Sequence, residues 1–188
     1  FALTADVTVT DGRASGSAAY VVGAVAGGYV LLPAADSWIV VDTTVAGATV
    51  EPLTATDFTR PLGRVVLNGV PATAIATAPQ RVADLAVAVL AAEAAGVTRW
   101  ALQTAVEYAK VREQFGKPIG SFQAIKHMCA EMLLRSEQIS VAASDVAQAA
   151  ASGDDEQLSV AAAVAAAAGI EAARANTKDC IQVLGGIG

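Results

Sequence analysis

The sequence predicts an α+β protein in which strands come first and helices follow, and three observations carry that prediction. Up to about Ala78, β-branched runs are broken by Gly, Pro and Asp; from Arg81 onward Ala, Leu, Glu, Gln and Arg dominate; in that second half Gly and Pro are nearly confined to segment ends. β-Branched side chains suit a pleated, half-buried surface, whereas Ala and the straight-chain residues lose little freedom in a helix. The change of texture divides the chain into a β part, residues 1–80, and an α part, residues 81–188.

In the β part, "ADVTVTDG", "YVVGAVAGGYVLLPA", "SWIVVDT" and "ATVEPLT" read as strands, and the Asp11-Gly12 pair within "TDGR" predicts a tight hairpin. In the α part, three helices are expected: Arg81 to Phe115, Ser121 to Ser152, and Asp155 to about Leu184. Gly116, Pro118 and Gly120 separate the first two, with Ser121 as the expected N-cap. Gly153 suits a left-handed C-terminal position, and Asp154 followed by Gln157 has the spacing of a capping box. Links of two to five residues make such helices antiparallel neighbours in a bundle. Alanine on several faces of the third helix predicts burial on more than one side, so a further helix or a second subunit is expected to cover it.

Composition narrows the function. Of 188 residues, 54% are hydrophobic and 16% charged, which predicts surface given over to other domains or chains, as in a dimer or tetramer, homomeric or mixed. The net charge of −6, without a basic run, argues against nucleic acid. Cys129 and Cys180 stand alone, with no CxxC spacing and no metal-ligand set, and read as buried small hydrophobes in a reducing, cytoplasmic compartment. The longest apolar run, Leu158 to Ile170, is mostly alanine and too short for a membrane span. A start on Phe1 and a close on "GGIG" lead us to expect flanking sequence.

The densest cluster of charged and turn-forming residues is "YAKVREQFGKPIGSFQ", Tyr108 to Gln123. Arg112 falls near a helix C-terminus, where a cation is favoured, and a pairing with Glu113 or simple solvation would account for it locally. The wider pattern "YAxxRxQFGxPIxxFQxxxxxxAEM", Tyr108 to Met132, resembles the acyl-CoA dehydrogenase family. So does "QVLGGIG" at Gln182 to Gly188, which is similar to that family's Gln-x-x-Gly-Gly-x-Gly segment. The resemblance implies the later strands of a middle β-domain followed by a C-terminal helical bundle.

It also implies FAD, held in extended form across a subunit interface. Carried onto this sequence, Arg112 would meet the flavin pyrophosphate, Phe115 would pack beside the cofactor and Gln123 would hydrogen-bond it. Gln182, Val183, Leu184, Gly185 and Gly186 would wrap the adenosine end. The implied reaction is α,β-dehydrogenation of an acyl-CoA thioester, with an electron-transfer flavoprotein as acceptor. The alternative is a non-catalytic partner subunit of a heteromeric enzyme that contributes part of the FAD site.

The catalytic residue is unassigned. The family's usual glutamate lies beyond its Gly-Gly motif, past Gly188, and its alternative position, about 26 residues before the motif arginine, falls on Ala86. Asp84 and Glu93 are the carboxylates nearest that position, and neither has its register on the helix. The single histidine, His127, reads as an ordinary helix residue. Ala91, Ala92, Ala94 and Ala95 would leave room for a bulky acyl group if they line the substrate pocket.

Overall fold

The computed structural model describes residues 1–188, which divide into two units, Phe1–Val82 and Ala83–Gly188. The first is a sheet of six strands: β1 (Asp6–Thr10), β2 (Arg13–Val22), β3 (Tyr29–Ala34), β4 (Ser37–Asp42), β5 (Ala48–Leu53) and β6 (Leu62–Ala74). All pairings are antiparallel, in the order β1-β2-β6-β4-β3, with β5 also on β6. The expected Asp11-Gly12 hairpin joins β1 to β2, and both residues have the positive φ that a two-residue hairpin of this twist needs, 51° and 72°.

β6 is the spine. Its residues 62–71 pair with β2, residues 62–67 also hold β5 on the other edge, and residues 72–74 turn to β4. Alternation puts Val30, Leu32 and Ala34 of β3, Ile39 and Val41 of β4, and Val65, Leu67 and Val70 of β6 into one apolar core with Ala14, Ala18 and Val21. The register slips between Ala14 and Gly16, where a Cβ on Gly16 would stand 2.1 Å from the Asp6 carbonyl oxygen. Only glycine fits that bulge, since its φ of 131° and the close backbone approach both exclude a side chain.

The second unit is built on α1 (Pro79–Val111), α2 (Gln123–Ser152) and α3 (Asp155–Leu184), the first turn of α1 belonging to the β unit. Buried positions on α3 recur every three or four residues: Leu158, Ala162, Ala165, Gly169, Ala172, Asn176, Cys180 and Val183. That spacing makes one apolar stripe. Ala91 packs with Ile139 to Ala149 and Leu158 to Ala172, whereas Ala101, Ala105 and Ala109 pack with Met132, Cys180 and Val183. Helices consecutive in sequence therefore run antiparallel, as expected, and α1 and α3 lie parallel.

Polar contacts from three side chains pin the bundle, beside a longer bond from Arg99 Nη2 to Ser140 Oγ at 3.4 Å between α1 and α2. Arg135 Nη2 donates to Asp179 Oδ2 at 2.6 Å between α2 and α3. Ser159 Oγ donates to Asp84 Oδ2 at 2.6 Å between α3 and α1. Asn176, fully buried, donates from Nδ2 to the carbonyls of Met132 (2.9 Å) and Thr98 (3.3 Å), so one carboxamide ties all three helices, while its Oδ1 has no partner.

Several helix details differ from expectation. α1 ends at Val111 rather than Phe115, because Glu113-Gln114 (β7) and Lys117-Pro118 (β8) pair as a miniature hairpin around Phe115 and Gly116. The link from α1 to α2 is consequently eleven residues, 112–122, instead of two to five. Ser121 is not the N-cap: it lies in a 3-10 turn with its hydroxyl donating to the Pro118 carbonyl at 2.7 Å, and Phe122 caps α2 without a side-chain bond.

The α2–α3 junction follows the sequence closely. Gly153 is left-handed at φ 80°, and Asp154 Oδ1 accepts from the backbone N–H groups of Glu156 and Gln157, a cap that contributes on the order of 1 kcal/mol. The reciprocal half of the box is supplied by Ser152 Oγ, which accepts from Asp154 N, and not by Gln157.

Cys180 is buried, but Cys129 is only half-buried. Burial raises the pKa of both thiols, which keeps them protonated and poorly nucleophilic at neutral pH. The apolar helices are longer than the Leu158–Ile170 run suggested: Pro79–Val111 and Asp155–Ile187 hold windows of mean hydropathy 1.5 and 1.4, long enough to cross a membrane. Alanine supplies much of that hydropathy, and buried Asp84, Thr98 and Asn176 interrupt it.

Candidate functional site

α1 delivers Tyr108 and Arg112 to one end of the bundle, and the chain then folds back through β7 and β8. Arg112 N–H donates to the Tyr108 carbonyl, and its own carbonyl accepts from Ile119 N–H at 2.8 Å, so the base of the hairpin is closed by backbone bonds on both sides of Arg112. Gly120 lets the return strand press against α1, since a Cβ there would stand 2.9 Å from the Ala109 carbonyl oxygen. The arginine's position is fixed by main chain alone, leaving its side chain uncommitted.

α3 brings the second motif to the same place. Gly185 closes the helix at φ 64° and ψ −131°, with its N–H donating to the Ile181 carbonyl, and residues Gly185–Ile187 make a 3-10 turn. Together these segments line a cleft of about 380 Å³ formed by Tyr108, Arg112, Gln114, Ile119 and residues 183–187. Lys110, Arg135 and Arg174 each pair with a carboxylate, whereas Arg112, which borders the cleft, has no carboxylate partner; the local pairing with Glu113 is not formed.

Of the eight candidate residues, Arg112, Val183, Leu184, Gly185 and Gly186 come together at this cleft. Val183 does so by its backbone, because its side chain is buried in the core with Met132 and Cys180. Phe115, Gln123 and Gln182 lie outside it. Phe115 is 93% exposed at the hairpin tip, with φ 55°, which is costly for an aromatic residue, and its ring meets Phe122 edge-on at 6.1 Å. Lys117 Nζ sits 4.5 Å from the Phe122 ring centroid. Gln123 is exposed at the start of α2, its Nε2 lying 2.8 Å from His127 Nε2.

On α1 one further expectation fails, and the reading that Asp84 does not replace the missing base agrees with its place in the structure. Ala91 is buried against α2 and α3, and Ala94 and Ala95 pack against the same cluster, so these three build the bundle and not a substrate pocket, whereas Ala92 is exposed. Asp84, near the position of Ala86, is 5% exposed and held by Ser159, which makes it an internal tie between helices.

The fold and the paired motifs define a class. The family model described as "Acyl-CoA dehydrogenase, C-terminal domain" matches residues 78–188. The chain belongs to the acyl-CoA dehydrogenase family. It is 64% identical over 175 residues to the acyl-CoA dehydrogenase FadE34 of Mycobacterium tuberculosis, covering 93% of this chain and 25% of that protein.

Among solved structures, a variant of the Tcur3481–Tcur3483 steroid ACAD superposes with a TM-score of 0.87 at 28% identity, over 99% of this chain and 53% of that one. The ChsE4–ChsE5 complex from Mycobacterium tuberculosis shares the fold, with a TM-score of 0.84 at 24% identity over 98% of this chain and 53% of that one. The chain thus spans a quarter of its curated relative and about half of its structural neighbours.

Proposed function

We propose that this chain is part of an FAD-dependent acyl-CoA dehydrogenase that introduces an α,β double bond into an acyl-CoA thioester, and that its hairpin and cleft form the part of the flavin site offered to a neighbouring subunit. The observation that carries this reading is the cleft itself: two motifs about 70 residues apart in sequence meet there, and they bring to it an arginine that no carboxylate claims.

The donor set fits the cofactor. A guanidinium offers a planar fork of N–H donors matched to pyrophosphate oxygens. The end of α3 supplies carbonyl acceptors beyond the intrahelical ladder, suited to ribose hydroxyls and an adenine amino group. Gly185 and Gly186 have nothing within 4 Å of an added Cβ, so the turn leaves open space for a ligand. In this reading Arg112 binds the pyrophosphate, Gly185 and Gly186 with Gln182, Val183 and Leu184 border the adenosine, and Phe115 and Gln123 reach the cofactor from the hairpin and the α2 start. The chemistry the cofactor supplies is acceptance of the β-hydride, while a carboxylate outside this chain takes the α-proton.

Oligomerisation is part of the proposal. An open groove of about 960 Å³ runs along α2 and α3, lined in part by Val141, Ala142, Val164 and Ala168, and Trp100 on α1 is 64% exposed. Faces of this kind are normally covered by other chains or domains. The proposed electron acceptor is an electron-transfer flavoprotein, and the proposed setting is cytoplasmic, the expectation for two cysteines isolated in the sequence.

A second reading, a non-catalytic partner in a heteromeric enzyme, is favoured by Ala86 and by the engagement of Asp84 with Ser159, which leave this part of α1 without a free base. The absorption spectrum of the purified full-length protein separates the two. Near-stoichiometric flavin in the protein alone supports the first, and flavin retained only with a partner chain supports the second. Absence of flavin from every combination rejects both. The neighbour described as a steroid ACAD makes bulky acyl-CoA thioesters the first substrates to assay.

A further inference from the structure

Gln123 is the first residue of α2 and His127 lies one turn later, so their side chains share a face. The two side chains meet at 2.8 Å between Gln123 Nε2 and His127 Nε2. With its nitrogen toward the ring the carboxamide donates, the ring nitrogen accepts, and the imidazole proton sits on Nδ1. The bond turns the carboxamide nitrogen back onto the helix and leaves Oε1 as the atom available to a ligand.

We infer that His127 is a positioning residue for the flavin site: its Nε2 lone pair orders the Gln123 side chain before cofactor binding and selects a hydrogen-bond acceptor, Oε1, as the group presented. A ring carrying its proton on Nε2 would do the reverse, drawing Oε1 inward and presenting the amide N–H groups. The ligand groups this arrangement suits are donors, such as ribose hydroxyls or an exocyclic amine.

This inference rests on the proposed role of Gln123 at the flavin. An unrestrained glutamine has several rotamers to lose on binding, and ordering them in the free protein removes part of that cost. The hairpin backbone orders Arg112 by main chain; His127 does the equivalent for a residue whose side chain lies fully exposed.

The test uses the full-length protein freed of flavin and measures FAD affinity by flavin fluorescence for Gln123→Ala, His127→Phe, His127→Gln and the double variant Gln123→Ala/His127→Phe. His127→Phe keeps a planar ring and removes the acceptor, and should weaken FAD by about 3- to 10-fold. His127→Gln returns an acceptor at the same turn and should restore most of the loss. In the double variant, loss of His127 should add nothing to the loss of Gln123, the signature of residues acting through one another.

Thermal midpoints alongside identify any variant that fails to fold, and the rescue by His127→Gln reports on the bond independently of stability. If Gln123→Ala weakens FAD but His127→Phe does not, or if His127→Gln is as poor as His127→Phe, the positioning role is overturned while the flavin site stands. If FAD binds but Gln123→Ala leaves its affinity unchanged, the role of Gln123 is wrong and the role of His127 falls with it.

Discussion

Asn176→Asp should cost the helical unit roughly 3–5 kcal/mol at neutral pH, the scale of an uncompensated buried charge. Asn176 is fully buried and aims its donor at two carbonyl oxygens, Met132 and Thr98. A carboxylate in its place would face those oxygens with no proton to share. The deficit has a definite pH dependence. Burial beside acceptors raises the folded-state pKa of such an Asp above its unfolded value, so the penalty is fully present at high pH and shrinks as pH falls through the raised pKa. Once protonated, the acid can donate one of the two bonds.

Asn176→Leu is the control, since it removes the donor and the unpaired Oδ1 without introducing a charge, and it should cost less than Asn176→Asp at neutral pH. Denaturant unfolding of the three proteins at pH 7 and pH 5 makes the comparison. Equal stability of the Asp and Leu variants at pH 7 would show that Asn176 does not bridge the helices as described.

Arg112→Ala should lower FAD affinity by about 10- to 100-fold, corresponding to one charge-assisted contact of roughly 1.5–3 kcal/mol, with far-UV circular dichroism unchanged. Its backbone holds the hairpin base and its side chain holds nothing else, so the fold should not register the substitution. Arg112→Lys keeps the charge but loses the fork, and should fall between the two. The wild-type advantage should narrow in high salt, as expected for an exposed cation on a phosphate. Unaltered FAD affinity in Arg112→Ala would remove the pyrophosphate role.

Much of this organisation is readable from the residues because local chemistry governs it. Gly153 and Asp154 announce the α2–α3 turn by backbone conformation and capping, and the Asp11-Gly12 hairpin by its positive φ angles. Arg112 stood out only through the family resemblance of the residues around it, since its local setting also suits a solvated helix end. Less legible was whatever depends on tertiary pairing. β6 escapes as a distinct strand because "LGRVVLNGVPATA" carries Gly, Pro and Asn inside the central strand of the sheet, where only the bulged register explains them.

The hairpin at Phe115 was hidden for a different reason. Continuation of the α1 helical pattern predicts helix through "REQF", and a left-handed aromatic residue is something no propensity anticipates. The alanines of α1 were equally ambiguous, since a small residue suits a pocket wall and a close helix contact alike. Asn176 gave no sequence signal, sitting among "ARANTKD" with nothing to distinguish a buried amide from a solvated one.

The alanine stripe also reverses the usual sensitivity of a core. In a bundle packed by Leu or Phe the damaging substitutions are truncations, which leave cavities. Here Ala101, Ala105, Ala161, Ala162 and Ala165 are already almost without side chain, and Gly169 brings α3 so near that an added methyl would meet Ile139 at 3.2 Å. Little can be removed from such a seam, whereas an extra branch has to displace the side chains already in contact, at about 1–3 kcal/mol per overpacked site. The interior is therefore vulnerable to growth, and drift toward larger residues along it would be purged even where they are more hydrophobic.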